Sequence, residues 1–217
     1  MLIHCDFHCH TKYSKDSLAF PKKILDTCIS KGIGRIAITD HDTIQGALEA
    51  QQIDPNRVIV GEEITTNQGE LLALFIKEQV PPGLSVYQTI KLLQAQDAFI
   101  SVSHPFDSYR KHWDYNILRS MVADIDAIEI FNARCMQRDA NELASEFAKQ
   151  NNLPGTVGSD AHILVEIGRA YLELPEFDDK EGLCTTLSNG TVYTSSIGLW
   201  VHLFSRIAKL LKKNKYP

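Results

Sequence analysis

The chain lacks any apolar run near the roughly 18 to 20 residues that a bilayer crossing requires, so no membrane span is expected. Cysteine is sparse. The five residues, at positions 5, 9, 28, 135 and 184, form no CxxC pair. That odd, scattered set argues against a disulfide framework and fits a reducing compartment. The first motif begins within ten residues of Met1, so no leader is expected and the expected location is cytoplasmic. Positive charge is in deficit, with 22 Lys and Arg against 27 Asp and Glu and a net charge of -5. Long nucleic acid would gain nothing from the overall field, and no basic stripe interleaved with aromatics offers a stacking groove. Any anionic substrate must be gripped by local positive charge, such as metal ions. Long linkers, internal repeats and low-complexity segments are also missing.

What is present is an alternation of short apolar segments and helical patterns. Strands are predicted at 2–8, 35–39, 58–65, 70–76, 99–103, 127–131 and 156–158, with two further candidates at 169–174 and 191–194. Helices are predicted at 21–31, 85–96, 115–123 and 139–150, with a shorter one at 43–51. The first of these has Pro21 at its start and Gly32 just past its end. Such β-α alternation predicts an α/β fold, either a parallel sheet or a barrel.

Five clusters of ionisable residues stand at the predicted strand ends. The first is Asp6-Phe7-His8-Cys9-His10-Thr11. In an extended segment residues two apart share a face, so His8 and His10 can bind one cation side by side, with Asp6 orienting an imidazole from behind. The second is Thr39-Asp40-His41-Asp42; capping of the next helix would explain Asp42 and leaves His41 unexplained. In the third, Gly61-Glu62-Glu63, adjacent glutamates repel unless a cation intervenes. An inward Glu63 could bridge two metals, and Glu62 suits the surface. Ser103-His104-Pro105 and Gly158-Ser159-Asp160-Ala161-His162 complete the set. Each cluster alone reads equally well as solvated histidines, a core histidine or a turn. Together they place His8, His10, His41, His104 and His162, five of the eight histidines, beside carboxylates at strand ends. His4, His112 and His202 fall outside the clusters. Mixed imidazole and carboxylate ligation suits zinc, manganese or iron, with magnesium a further option, better than calcium.

The segments DFHCHT, TDHD, GEE, SHP and GSDAH, in this order, resemble those of the PHP family, named for its polymerase and histidinol phosphatase members. The resemblance covers residues 6 to about 193. It implies a distorted (β/α)7 barrel with its metal site at the strand C-terminal face, two or three divalent metal ions, and hydrolysis of phosphate esters. Carried over by motif, His8, His10, Glu63 and Asp160 hold a first metal. Glu63 bridges to a second that His104 also holds. Asp16, His41 and His162 hold a third, with Asp16 where some relatives have histidine. Some members carry another histidine on the strand after GEE. The segment 70–76 offers no ligand in the expected place, which leaves the second position short.

The expected reaction is hydrolysis of a small phosphomonoester, of nucleotide or sugar phosphate class, by metal-bound hydroxide. Asp40 and Asp42 are the candidates for catalytic orientation or proton transfer. Arg134 is the candidate for a bidentate grip on phosphate, a position to which the resemblance adds weight, and Asn132 for holding substrate. Rival readings are a nuclease acting on short oligonucleotides, a metal-binding module without turnover, and amide hydrolysis. Residues 1–197 are expected to form the catalytic barrel. Residues 198–217 carry an amphipathic helix with Trp200, Leu203, Phe204, Ile207, Leu210 and Leu211 on one face, and Arg206, Lys209, Lys212 and Lys213 adding positive charge. Packing of that apolar face on the barrel is expected; a dimer contact or a membrane surface are the competing uses. The sequence does not give the oligomeric state.

Overall fold

The computed structural model describes residues 1–111, 113–137, 139–195 and 200–213. His112 and the expected boundary at 197–198 lie outside the described residues. Nine strands form one mixed sheet in the order β7-β6-β5-β4-β3-β2-β1-β8-β9. They are β1 Leu2–Cys9, β2 Arg35–Ile38, β3 Val58–Thr65, β4 Glu70–Leu74, β5 Phe99–Val102, β6 Ala127–Asn132, β7 Gly155–Gly158, β8 Ala170–Pro175 and β9 Thr191–Thr194. The sheet curls so that β7 returns to β1. Asp160 N donates to His8 O and His10 N to Ala161 O, both at 2.8 Å. Strands β1 to β7 thereby wrap into a nearly closed barrel, and β8 and β9 extend antiparallel from the outer edge of β1.

The barrel departs from a uniform parallel wind at β4, which runs antiparallel to both β3 and β5. Only residues 66–69 connect β3 to β4, too few for a crossover, so the chain must turn back on itself. Thr66 ties the turn, its Oγ1 donating to Gly69 O at 2.7 Å. Gly69 is needed because a Cβ there would come within 2.4 Å of the Trp113 ring. The reversal places the first residue of β4, Glu70, level with the last residues of its neighbours.

The helices are α1 Pro21–Lys31, α2 Gln45–Ile53, α3 Val86–Ala95, α4 Tyr115–Ser120, α5 Ala140–Gln150, α6 Lys180–Leu187 and α7 Val201–Lys213. Gly32, at φ 70°, closes α1 as its sequence punctuation predicts. The Ser85 hydroxyl accepts from Gln88 N and starts α3. α4 is shorter than the predicted 115–123 because the backbone tightens into a 3-10 turn at Val122–Asp124. α6 was not expected from the sequence; its signal is Asp179, whose carboxylate accepts from Gly182 N at 2.8 Å.

Two apolar clusters hold the barrel. One packs Ile24, Ala47, Ile90 and Phe147 of the helices on Ile36, Val60, Ile100 and Ile128 of the strands. The other draws Phe7, Ala37, Ile59, Leu74, Phe99, Ala127 and Val157 from all seven barrel strands, and Leu183 and Leu187 of α6 join it. Leu74 ends reversed β4, whereas Ile59 and Phe99 lie at the beginnings of β3 and β5. This second cluster therefore fills the barrel away from the ligand-bearing end. α7 packs through Val201, Ser205 and Ala208, all under 9% exposed. The face expected to pack is turned outward: Trp200, Leu203, Phe204, Ile207, Leu210 and Leu211 are 41% to 64% exposed. Among the described residues, no helix is long and apolar enough to cross a membrane.

Candidate metal centre

The last residues of β1 and the residue after it carry His8 and His10 inward, and their Nε2 atoms lie 3.0 Å apart. The turns after β2, β5 and β7 bring His41, His104 and His162 to the same point. Ring centroids of His10 lie 4.5 Å from His41 and 4.3 Å from His162, and those of His8 and His104 lie 6.1 Å apart. The cluster is buried, with His8 and His10 at 0% exposure. Backbone strain accompanies it: Asp42, His104 and Asp160 hold φ of 57°, 26° and 52°, a region that non-glycine residues occupy at a cost of about 1–3 kcal/mol each.

Carboxylates complete the centre. Glu63 lies at its middle. Its Oε2 is 3.3 Å from His8 Nε2, 3.4 Å from His10 Nε2 and 3.0 Å from His41 Nδ1, and its Oε1 is 3.0 Å from His104 Nε2. Asp160 Oδ1 stands 3.1 Å from His10 Nε2 and 3.6 Å from His8 Nε2. Asp16 spans His41 and His162 at 3.4 and 3.2 Å. Burial opposes ionisation of all three carboxylates, yet their partners overcome it and hold them well below the usual range. His8 and His41 do so for Glu63, Arg110 and His8 for Asp160, and His162 and His41 for Asp16. Burial also opposes charging of the imidazoles. The carboxylates Asp160, Glu63 and Glu129 nevertheless raise His8, while burial with His162 and His41 close by pushes His10 down.

The sequence reading missed Glu70. Its Oε2 lies 3.5 Å from His104 Nε2 and its Oε1 3.8 Å from His41 Nδ1. The ligand missing from the second position was sought along β4 and stands instead at the strand's first residue. The signal was the short 66–69 connection, which demands an antiparallel hairpin. Arg110 was also missed. Its guanidinium pairs with Asp160 Oδ2 and lies 3.2 Å from His104 Nε2. Glu129 takes the role expected of Asp6: its Oε1 accepts from His8 Nδ1 at 2.9 Å, leaving Nε2 turned to the cluster. Asp6 accepts instead from the backbone amides of Ser159 and Gly168 and fastens β1 to the loops after β7.

Other expected site residues stand beside the cavity rather than in it. Asp40, expected to be catalytic, accepts from Thr11 N and Thr11 Oγ1, both at 2.6 Å, and so pins the loop that carries His10. Asp42, the other catalytic candidate, accepts from Thr65 N at 2.8 Å and does not cap α2. Asn132, expected to hold substrate, donates to Glu129 and Asp160 at 3.1 and 3.2 Å and so orients two carboxylates. Glu62 is buried rather than on the surface, and burial pushes its carboxyl up to about 7. Arg134 does line the cavity, with its guanidinium held by Glu166 at 3.4 Å and Ser205 Oγ at 2.9 Å. His202, set aside in the sequence reading, lines it too.

Above the cluster opens a cavity of about 330 Å³ whose lining includes Asp16, His41, Glu70, Arg110 and His162. Three sets of side chains bring ligand atoms within 4.8 Å of one another: His10, His41 and His162; His8, His10 and Glu63; and His41, Glu63 and Glu70. Asp16 Oδ1, His41 Nδ1, Glu63 Oε2 and Asp160 Oδ1 are buried and, although each has one of the others or a ring nitrogen 3.0–3.2 Å away, none makes a well-directed hydrogen bond. Leaving such groups unmet costs about 1–3 kcal/mol each, more if charged, and divalent cations among them would satisfy all four. The donor set fits metal.

Family models match over most of the chain, the PHP domain at residues 6–150 and the PHP-associated region at 138–192. The chain belongs to the PHP family. An uncharacterized protein of Methanocaldococcus jannaschii is 36% identical to it over 178 residues, 80% of this chain and 71% of that one. A two-domain Bacteroides vulgatus protein containing a predicted PHP-like metal-dependent phosphoesterase superposes on 89% of this PHP chain with a TM-score of 0.73 at 19% identity. The present chain spans 65% of that protein's length. A lesion-specific endonuclease of Pyrococcus furiosus superposes with a TM-score of 0.66 at 17% identity, over 88% of this chain and 58% of its own. At these identities the two superpositions speak for the fold. α7 lies beyond both family-matched stretches.

Proposed function

We propose that this PHP protein is a metal-dependent phosphoesterase that hydrolyses a small phosphomonoester of nucleotide or sugar phosphate class. The observation that carries the reading is the quartet of buried atoms on Asp16, His41, Glu63 and Asp160 that crowd together without a well-directed hydrogen bond, at the cavity's inner end beside Arg110. His8, His10, Glu63 and Asp160 would hold one cation; Glu63, His104 and Glu70 a second; Asp16, His41 and His162 a third. Bound there, divalent metal neutralises phosphate oxygens and lowers the pKa of coordinated water from about 15.7 toward about 7.

The chain's own residues do the rest. Glu129, Ser14 and the Asp160 carbonyl, each within 3.0 Å of Nδ1 of His8, His10 and His162 respectively, turn the Nε2 atoms of those rings toward the cluster. Asn132 holds the Asp160 carboxylate, and Asp40 holds the loop beneath His10. Arg110, between Asp160 and His104, presents a guanidinium where a phosphoryl oxygen would enter. The cavity, near the small end of the range for small-molecule sites, favours a compact ester over a polymer.

The test joins elemental analysis of the purified protein to a phosphate-release screen with added manganese, zinc, iron or magnesium. Two to three metal equivalents and release from a small monoester are expected. Metal without release from any ester would replace this reading with a non-catalytic module. Cleavage of short oligonucleotides alone would replace it with a nuclease.

A further inference from the structure

α7 lies outside the family-matched stretches, yet it forms one wall of the cavity through Ser205, Arg206 and Lys209. Its seat is polar. Arg134 Nη2 donates to Ser205 Oγ at 2.9 Å, Lys209 Nζ pairs with Asp16 Oδ2 at 3.3 Å, and Lys212 Nζ donates to the carbonyls of Lys12 and Ser14. A surface helix docked only to bury area turns its apolar stripe inward. α7 turns its large apolar residues outward, and its inner side combines small buried residues with cationic anchors on the cavity.

The charge around the cavity exceeds what one phosphoryl group uses. Six cationic side chains line it: Lys15, Arg110, Lys111, Arg134, Arg206 and Lys209. Arg110 is matched by Asp160 and Asp107, and Arg134 by Glu166. Lys111 donates to Thr66 O. Among the described residues, Lys15, Lys111 and Arg206 have no carboxylate within ion-pair distance, and the partner of Lys209 is a candidate metal ligand. Four cations therefore stand without a committed carboxylate, in a chain whose net charge is -5. At about 330 Å³ the cavity keeps whatever they bind on the same small molecule as the reacting phosphate.

We infer that Arg206 and Lys209 recognise a second anionic group, phosphate or carboxylate, on the substrate of the proposed phosphoesterase. This inference rests on the phosphoester reading and narrows it to substrates with two anionic groups. α7 is then a specificity wall, seated by Val201, Ser205 and Ala208 and turned so that its cations reach the cavity.

The test measures binding of inorganic pyrophosphate and inorganic phosphate to the manganese-loaded full chain by calorimetry. The wild type is expected to prefer pyrophosphate by about tenfold or more, a preference that shrinks as salt screens the exposed charges. In the double variant Arg206→Ala, Lys209→Ala the ratio is expected to fall to within about threefold, while Arg206→Lys keeps most of it. The same variant should lower kcat/KM for 3-phosphoglycerate relative to glycerol 3-phosphate, through KM. A double variant that keeps the wild-type ratios, or a wild type without preference, overturns the inference and leaves the phosphoester reading standing. A wild type that binds neither anion removes both. Both substituted side chains are exposed, so circular dichroism should show an intact fold; a collapsed ratio with unchanged melting excludes a merely structural role.

Discussion

On the cavity floor, His8, His10 and His162 each have one ring nitrogen tied to a set partner, while on the rim Lys209 leaves 53% of its side chain in solvent and Arg206 is exposed. The floor is assembled from strand ends in a nearly closed barrel, and the rim from loops and one helix. The difference teaches where strength and selectivity can come from. Buried, pre-oriented groups meet a cation with little reorganisation and little screening. Exposed charges on a helix are screened by salt and contribute less each, so they suit discrimination better than holding.

The largest effect that would break this contrast lies at Glu63. Glu63→Gln keeps the shape and removes the charge between four histidines. Metal content is expected to fall at two positions, and phosphate release to drop on the order of 10³-fold. The metal-free variant is also expected to lose about 3 kcal/mol of stability, because buried cationic imidazoles lose their counter-charge. Full metal content in the variant, read by elemental analysis, would show that Glu63 is not shared between positions.

A smaller effect is expected at Glu70, which sits between floor and cavity with its side chain 13% exposed. Glu70→Ala should weaken a single metal position by at least about 10- to 100-fold, the cost of losing even an outer partner, and leave the others filled. Glu70→His should restore it. Titration of manganese into the metal-free protein reads both. Unchanged stoichiometry and affinity in Glu70→Ala would leave the second position to Glu63 and His104 alone.

The same contrast explains what could be read from the chain. The floor was legible because strand periodicity and short motifs are local: His8 and His10 two apart, Asp160 and His162 two apart, each after an apolar run. Strand positions along the chain were legible for the same reason, and the nine predicted strands occur within about two residues of their bounds; their order in the sheet was not. Partners far apart along the chain were not legible. That Glu129 rather than Asp6 braces His8 depends on β6 curling against β1 through β7, which no local pattern reports. Glu70 was missed because no ligand was sought at the first residue of β4, which the antiparallel pairing brings level with the ends of β3 and β5. Asp40 and Asp42 were read as catalytic because ionisable residues at strand ends suit function; the hydroxyl and amide of Thr11, and those of Thr65, take up their carboxylates instead. For α7 the periodicity gave a two-faced helix correctly and no information on which face turns inward, since its seat is made of charges answering Asp16 and backbone carbonyls.

The smallest expected effects sharpen the comparison within α7 itself. Ala208 is 2% exposed and Leu210 is 64% exposed. Ala208→Arg forces a long side chain into a filled contact and is expected to cost about 1–3 kcal/mol, or to detach the helix. Leu210→Ser removes a large apolar group and is expected to change stability by no more than about 0.5 kcal/mol. For a helix packed by its apolar stripe the ranking would be reversed. Thermal melts of the two variants at two protein concentrations read it. A cost for Leu210→Ser that grows with concentration would mean that the outer stripe is buried against another copy, and that α7 is held from both sides.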